Sequence, residues 1–192
     1  MKQKGRSAGK RRAHRWIKPG AVLLLVILCG IALLNNAFPR KYSNLVEEYA
    51  ARYEIEPALV YAVIHTESGF NPEAVSVNDA CGLMQMLPDT FEWMQRKHPG
   101  ERQYGREDLF DPEISIRYGT YFLSVLMERF GNIEAVAAAY HAGPNAVARW
   151  LADPAYSADG IHLDRIPYKD TAHYVQKITR SYVIYHDILR VQ

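Results

Sequence analysis

Glu67 is the residue around which chemistry can be argued in this chain. Pro57 suits the first turn of a helix, and Val60, Val63 and Ile64 follow at the spacing of one buried helical face, with Glu67 next on the same stripe. A carboxyl on an apolar face either finds a partner or acquires a raised pKa, and a raised pKa is what a general acid at neutral pH requires. Gly69 closes the helix just beyond it, so the negative end of the helix dipole also disfavours ionisation. A loop through Asn71, Pro72, Ser76, Asn78 and Asp79 then leads to a glycine followed by an amide, Gly82-Leu83-Met84-Gln85. Taken alone, a glutamate at a helix end more often reaches out to water, so its surroundings must decide.

The surrounding elements read as helices. Ser43 is placed to cap a helix whose apolar face is Leu45, Val46, Tyr49, Ala50 and Tyr53. Pro88 and Asp89 begin a short one with Phe91 and Met94 inward, and residues 99–110 read as an exposed loop. Asp111-Pro112-Glu113 is a strong helix start, and Ile114, Tyr118, Tyr121, Phe122 and Val125 make this the expected central core helix, stopped by Gly131. Asn132 caps the next, where Ile133, Val136, Ala137 and Tyr140 recur, and Gly143-Pro144 ends it. A short helix with Val147, Trp150 and Leu151 follows, then a loop from Asp153 to Lys169. The last helix starts at Asp170 as cap and aligns Tyr174, Ile178, Tyr182 and Tyr185. No repeat and no sustained strand pattern occurs, although 71–86 has room for a few short strands. The expected fold is mainly α.

With 192 residues, 48% of them hydrophobic, the chain has length for one cored domain and an accessory segment. Residues 1–18 hold eight Lys and Arg and no acid, which exceeds the whole net charge of +2 and leaves the remainder net negative. Behind them, Ala21 to Leu34 is an unbroken nonpolar run, and extension to Trp16 and Phe38 supplies the turns that a bilayer span of about 20 residues needs. The expected organisation is therefore a basic cytoplasmic segment at 1–18, a single-pass signal anchor at 19–38 in the cytoplasmic membrane, and an extracytoplasmic domain at 39–192. A cleaved signal peptide would have to cut inside the run, at Gly30-Ile31-Ala32, and a lipoprotein signal through Cys29 would follow bulky Leu28. A basic arm for nucleic acid is disfavoured by the hydrophobic run directly behind it. Two cysteines so placed imply no disulfide framework, and the seven histidines show no HExxH or Cys/His cluster, so no metal is expected.

Four stretches then stand together: Glu67-Ser68-Gly69-Phe70-Asn71-Pro72, Gly82-Leu83-Met84-Gln85-Met86-Leu87-Pro88, Ala138-Ala139-Tyr140-His141-Ala142-Gly143-Pro144, and Ile166-Pro167-Tyr168 with Asp170-Thr171-Ala172-His173-Tyr174-Val175. In this order and spacing the chain, over residues 43–189, resembles the catalytic domain of the soluble lytic transglycosylase family. That resemblance implies a goose-type-lysozyme-like helical fold, peptidoglycan glycan strands as substrate and Glu67 as the sole catalytic carboxylate. It implies that Ser68, Met84, Gln85, Tyr140 and Tyr174 line the cleft and orient substrate or acid. By spacing alone Met84, Tyr140 and Tyr174 read as packing residues. The chain departs from the family pattern with Cys81 before the glycine, with Asp170 in place of the usual glutamate, and with His141 in place of the usual asparagine. The last puts a ring that titrates near neutrality where an amide is usual.

Most glycosidases flank the bond with two carboxylates. Here Asp79 lies in a loop, Asp111 reads as a cap, and Glu73, Glu107 and Glu113 read as solvated or capping, so Glu67 has no evident partner. One carboxyl suffices where the substrate supplies the nucleophile. In the route the resemblance implies, Glu67 protonates the bridging oxygen between N-acetylmuramic acid and N-acetylglucosamine, then takes the proton of the muramoyl 6-hydroxyl as a 1,6-anhydro ring closes, with no cofactor. Gly82 is expected to let backbone approach a sugar, Gln85 to give donor and acceptor to an acetamido group, and the Tyr140 hydroxyl to orient the carboxylate. A hydrolytic muramidase and a non-catalytic glycan-binding scaffold of an envelope complex are the competing readings. Protein partners are not legible in the sequence.

Overall fold

The computed structural model describes residues 19–97 and 103–191, and the chain divides between Pro39 and Arg40 into two units. The first unit carries helix α1, Pro19–Ala37. Its 19 residues extend about 28 Å at the α-helical rise, and Leu23, Leu24, Leu25, Val26 and Leu33 are all more than half exposed. Among the described residues no helix is long and apolar enough to cross a membrane. The transmembrane helix expected over 19–38 is thus not shown, and the basic segment at 1–18 lies outside the described residues.

The second unit is helical, as the spacing of its apolar residues predicts. Helices α2 (Ser43–Arg52), α3 (Pro57–Glu67), α4 (Pro88–Arg96), α5 (Pro112–Phe130), α6 (Ile133–Ala142), α7 (Pro144–Leu151) and α8 (Lys169–Val183) follow in order. A 3₁₀ turn over Arg106–Phe110 precedes α5, within the expected loop, and a π-type turn over Ile184–Ile188 follows α8. Among the described residues there is no sheet. The strands allowed for at 71–86 reduce to two isolated bridges, Val75 with Cys81 and Cys81 with Met86.

Two helices share the centre. α5 buries Ile114, Tyr118, Phe122, Leu123 and Leu126 along one face. α3 goes further and buries every residue from Ala58 to Ile64. The single stripe expected for α3 is therefore too narrow, and the centre is not α5 alone: a helix apolar on all sides is one surrounded by others. α8 packs on α3 and α6, and α5 packs on α2 and α6.

The helix ends follow local chemistry, with two corrections. Asp111 and Asn132 cap as expected, accepting from the backbone N–H of Glu113 and of Ala135. Ser43 does not cap α2, which starts instead after Tyr42 in a left-handed conformation. α8 starts at Lys169, after Tyr168, so Asp170 lies within its first turn, where the helix dipole favours a carboxylate without a side-chain cap.

Two glycines with similar backbones differ in surroundings. Gly131 ends α5 at φ +71 with open space where a side chain would point. Gly82 has φ +76, and a Cβ there would collide with the Leu109 carbonyl oxygen and crowd the Ser115 hydroxyl. The close approach that Gly82 permits is therefore to the chain's own backbone before α5, and not to a sugar. Gly131→Ala is expected to cost about 1 kcal/mol, the left-handed penalty alone. Gly82→Ala is expected to cost roughly 3 kcal/mol or more, because overpacking adds to that penalty. Equal midpoint shifts of the two variants in urea denaturation would refute the distinction.

Candidate active site

Glu67 is the last residue of α3, with Ser68 as the C-cap. The Ser68 hydroxyl donates to the Ile64 carbonyl at 3.2 Å or to the Leu83 carbonyl at 2.8 Å, which ties the end of α3 to the Gly82-to-Met86 turn. That turn is held from three further directions. The Met84 N–H donates to the Ser115 hydroxyl of α5 at 3.2 Å. The Tyr140 hydroxyl of α6 donates to the Met84 carbonyl at 2.8 Å. Cys81 and Met86 exchange backbone hydrogen bonds at 3.0 and 3.1 Å. Gly119 on α5 leaves the space that the Met84 side chain fills. An irregular stretch thereby becomes a fixed wall, because its polar backbone groups have partners on the helices around it.

The wall encloses one side of a cavity of about 200 Å³ that reaches Glu67. Gln85, Tyr140 and His141 line it with Glu67, as do Ser76, Asn78, Ala80, Met86, Leu87, Thr90 and Phe122. Ser68, Gly82, Met84 and Tyr174 are not on its surface. Met84 is fully buried, so its side chain packs the wall from behind. Gln85, at φ +47, spends its amide N–H groups on the Ala74 and Gly82 carbonyls at 2.9 and 3.1 Å. Of the donor and acceptor expected from it, only the acceptor Oε1 is left for a ligand.

Of the two tyrosines expected to orient substrate or acid, only one meets the carboxyl. Tyr140 holds the Met84 carbonyl and does not orient the carboxylate. Tyr174, from α8, donates its hydroxyl to Glu67 Oε1 at 2.6 Å. Burial pushes the Glu67 carboxyl up to about 7, and the Tyr174 hydrogen bond opposes it. Both phenols are themselves pushed well above their ordinary value by burial, so they remain donors throughout the pH range of the site. The ring of His141 lies 4.7 Å from that of Tyr174, with Nδ1 3.2 Å from the Thr171 hydroxyl. Burial lowers the His141 pKa while the charge of Asp170 opposes this. The ring is therefore neutral at pH 7, able both to donate and to accept.

Other acids stand aside. Asp79 pairs with Arg106, which holds its carboxyl below the usual range, and Glu113 accepts from the Tyr49 hydroxyl at 2.9 Å. Among the described residues lining the cavity, Glu67 is the only carboxyl. Ser76, Asn78, Thr90 and Phe122 escape sequence reasoning for separate reasons. Ser76 and Asn78 reach the cavity through a tight loop in which Ser76 Oγ accepts from the Asn78 and Ala80 N–H groups, a fold with no periodicity to betray it. Thr90 lies on α4, where spacing gives weight only to apolar neighbours. Phe122 reads as core, which it also is, against the Tyr140 ring at 5.2 Å.

The family model for the Transglycosylase SLT domain matches residues 44–161. The soluble lytic murein transglycosylase of Escherichia coli (strain K12) is 34% identical over 149 residues, which are 76% of this chain and 23% of that protein. The membrane-bound lytic murein transglycosylase C of Yersinia pestis (strain Pestoides F) is 41% identical over 130 residues, 63% of this chain and 36% of the relative. The X-ray structure of the lytic transglycosylase Slt from Pseudomonas aeruginosa, an inactive mutant with glutamine in place of a glutamate, is similar with a TM-score of 0.72 and 30% sequence identity, over 83% of this chain and 26% of that one. The chain thus spans well under half the length of these relatives.

The raised carboxyl pKa has a thermodynamic consequence. Between the ordinary value of 4.5 and about 7, the folded chain holds a proton on Glu67 that the unfolded chain has released, so stability falls as pH rises through that window. Glu67→Gln removes this dependence while keeping an acceptor for Tyr174. It is expected to leave stability at pH 4 unchanged and to raise it at pH 8 by up to about 3 kcal/mol, measured by urea denaturation. A gain of equal size at both pH values would mean that packing, and not ionisation, is responsible.

Proposed function

The chain belongs to the Transglycosylase SLT domain family, and from that premise we propose that it is a peptidoglycan lytic transglycosylase with Glu67 as acid and then base. The observation that carries this reading is a single protonatable carboxyl, with its pKa raised to about 7, in a cavity to which no second described carboxyl contributes. A pKa close to the working pH keeps both protonation states accessible, which a group that must give and then take a proton requires.

In the proposed reaction the protonated carboxyl of Glu67 donates to the glycosidic oxygen between N-acetylmuramic acid and N-acetylglucosamine. The C1–oxygen bond of the muramoyl unit breaks, and the substrate's own N-acetyl oxygen shields the developing positive charge at C1. The carboxylate, steadied by the Tyr174 hydroxyl, then takes the proton of the muramoyl 6-hydroxyl as that oxygen bonds to C1. Glu67 ends protonated, and no water is consumed. Gln85 Oε1, Tyr140 and the neutral ring of His141 are the wall groups proposed to meet the sugar. Ser68, Gly82, Met84 and Tyr174 act behind the wall as positioning residues.

The exposed apolar side chains of α1, the flanking Trp16 and Phe38 and the basic residues 1–18 support a single-pass anchor in the cytoplasmic membrane, with the α2-to-α8 domain on the outer side. On this reading the substrate is a glycan strand lying outside that membrane.

Purified sacculi treated with the full chain are expected to release fragments with 1,6-anhydro-muramoyl ends, and Glu67→Gln is expected to lower the rate about 10³-fold or more. Reducing ends, heavier by one water in mass spectrometry, would make the enzyme a hydrolase, and an unchanged rate for Glu67→Gln would reject Glu67 as the acid. The anchor is tested separately: the full chain should stay in the membrane pellet through an alkaline carbonate wash, and release into the supernatant would refute it.

A further inference from the structure

A second cavity, of about 430 Å³, opens at the start of the helical domain and is lined by Arg40, Ser43, Glu47, Tyr61, Arg190 and Val191. It brings together the first and last described stretches of that unit, since Arg40 follows Pro39 directly and Arg190 comes after α8 and its π-type turn. Neither arginine forms an ion pair among the described residues, and Glu47, although it lines the same cavity, pairs with neither. Among the described lining residues, two guanidinium groups and one carboxylate leave the balance positive.

Two details suggest a built site rather than a chance cleft. Arg190 adopts φ +53, a left-handed conformation that a non-glycine residue takes at a cost of about 1 kcal/mol or more. The Val191 N–H donates back to the Tyr185 carbonyl at 3.0 Å, so the position resembles a helix-terminating turn in which glycine is the usual occupant. Here an arginine occupies it and lines the cavity. Tyr61, on the fully enclosed α3, is 1% exposed, and its hydroxyl has no hydrogen-bond partner among the described residues although the residue lines the cavity. Burial and the charge of Glu47 push its pKa up to about 12, against the opposing charge of Arg40, so it remains a hydroxyl donor. Tyr61 thus offers an unfilled hydroxyl donor at the cavity surface, and beside two unpaired guanidinium groups and the Ser43 hydroxyl it suits an anionic oxygen ligand.

We propose that this cavity binds the phosphodiester headgroup of an anionic phospholipid, held by Arg40 and Arg190 with Tyr61 and Ser43 as hydroxyl donors. The choice of a lipid over free phosphate rests on the anchor reading given above, because Arg40 is the first residue beyond the segment proposed to leave the membrane. Arginine matches phosphate oxygens through paired N–H groups, and basic residues next to a membrane-spanning segment gain further from a negative lipid surface.

The test uses the full chain in neutral detergent micelles, titrated with dihexanoyl phosphatidylglycerol, dihexanoyl phosphatidylcholine or inorganic phosphate, with binding followed by native mass spectrometry and thermal shift. Saturable binding of the phosphatidylglycerol is expected, weakened at least about tenfold by Arg40→Gln with Arg190→Gln and about threefold by Tyr61→Phe. Glycan cleavage and the lipid-free melting temperature should be unchanged, which shows that the variants fold. Equal binding of the phosphatidylcholine, full competition by inorganic phosphate, or unweakened binding by the double variant would each overturn the proposal. Short-chain lipid binding in micelles does not require α1 to span a bilayer, so a failed carbonate wash and a failed titration are separate results.

Discussion

The hydrogen bond from Tyr174 to Glu67 is the constraint on which the rest of the domain depends. A carboxyl driven toward neutrality by burial sits at the end of the most enclosed helix, and a phenol that itself stays protonated meets one of its oxygens at 2.6 Å. Burial alone would leave the group neutral over a wide pH range, whereas the hydrogen bond stabilises its ionised form and brings the balance back near pH 7. That compromise requires α8 to lie against α3, and it explains why α3 is surrounded on all sides although its last residue is ionisable.

The wall of the cavity obeys a different logic. Residues 71–86 have little regular structure of their own, and they gain their shape from side chains on the helices. Ser68, Ser115 and Tyr140 each satisfy one backbone group of the turn, and Gly82 and Gly119 allow the contact distances that these bonds require. The helices hold a loop whose backbone would otherwise have to be solvated. Asp79 and Arg106 fasten its outer edge at the surface, where the ion pair adds little energy.

Helix order, the buried faces, the caps at Asp111 and Asn132 and the unusual setting of Glu67 were legible in the sequence because each depends on near neighbours. What escaped depends on distant ones. Spacing marks Tyr140 and Tyr174 equally as inward-facing tyrosines, and only packing decides that one holds a carbonyl and the other the carboxyl. Gly82 announces a close approach, but whether toward a ligand or toward Leu109 is set by where the 3₁₀ turn returns. Gln85 offers two kinds of group in sequence and keeps one in the fold, because Ala74 and Gly82 take its N–H groups. The side-chain caps assigned to Ser43 and Asp170 failed by one and two residues of register, the scale on which local signals lose resolution.

The bond between Glu67 and Tyr174 joins residues 107 positions apart, and Tyr174 lies on α8, the last of the α-helices among the described residues. Synthesis proceeds from the N-terminus, so α3 emerges long before the helix that supplies its partner. Until α8 docks, the carboxyl has neither the Tyr174 hydroxyl nor the burial that α8 contributes against α3. For a domain proposed to act on the envelope that surrounds its own cell, competence is thereby deferred until α8 has docked, a form of temporal control written into element order.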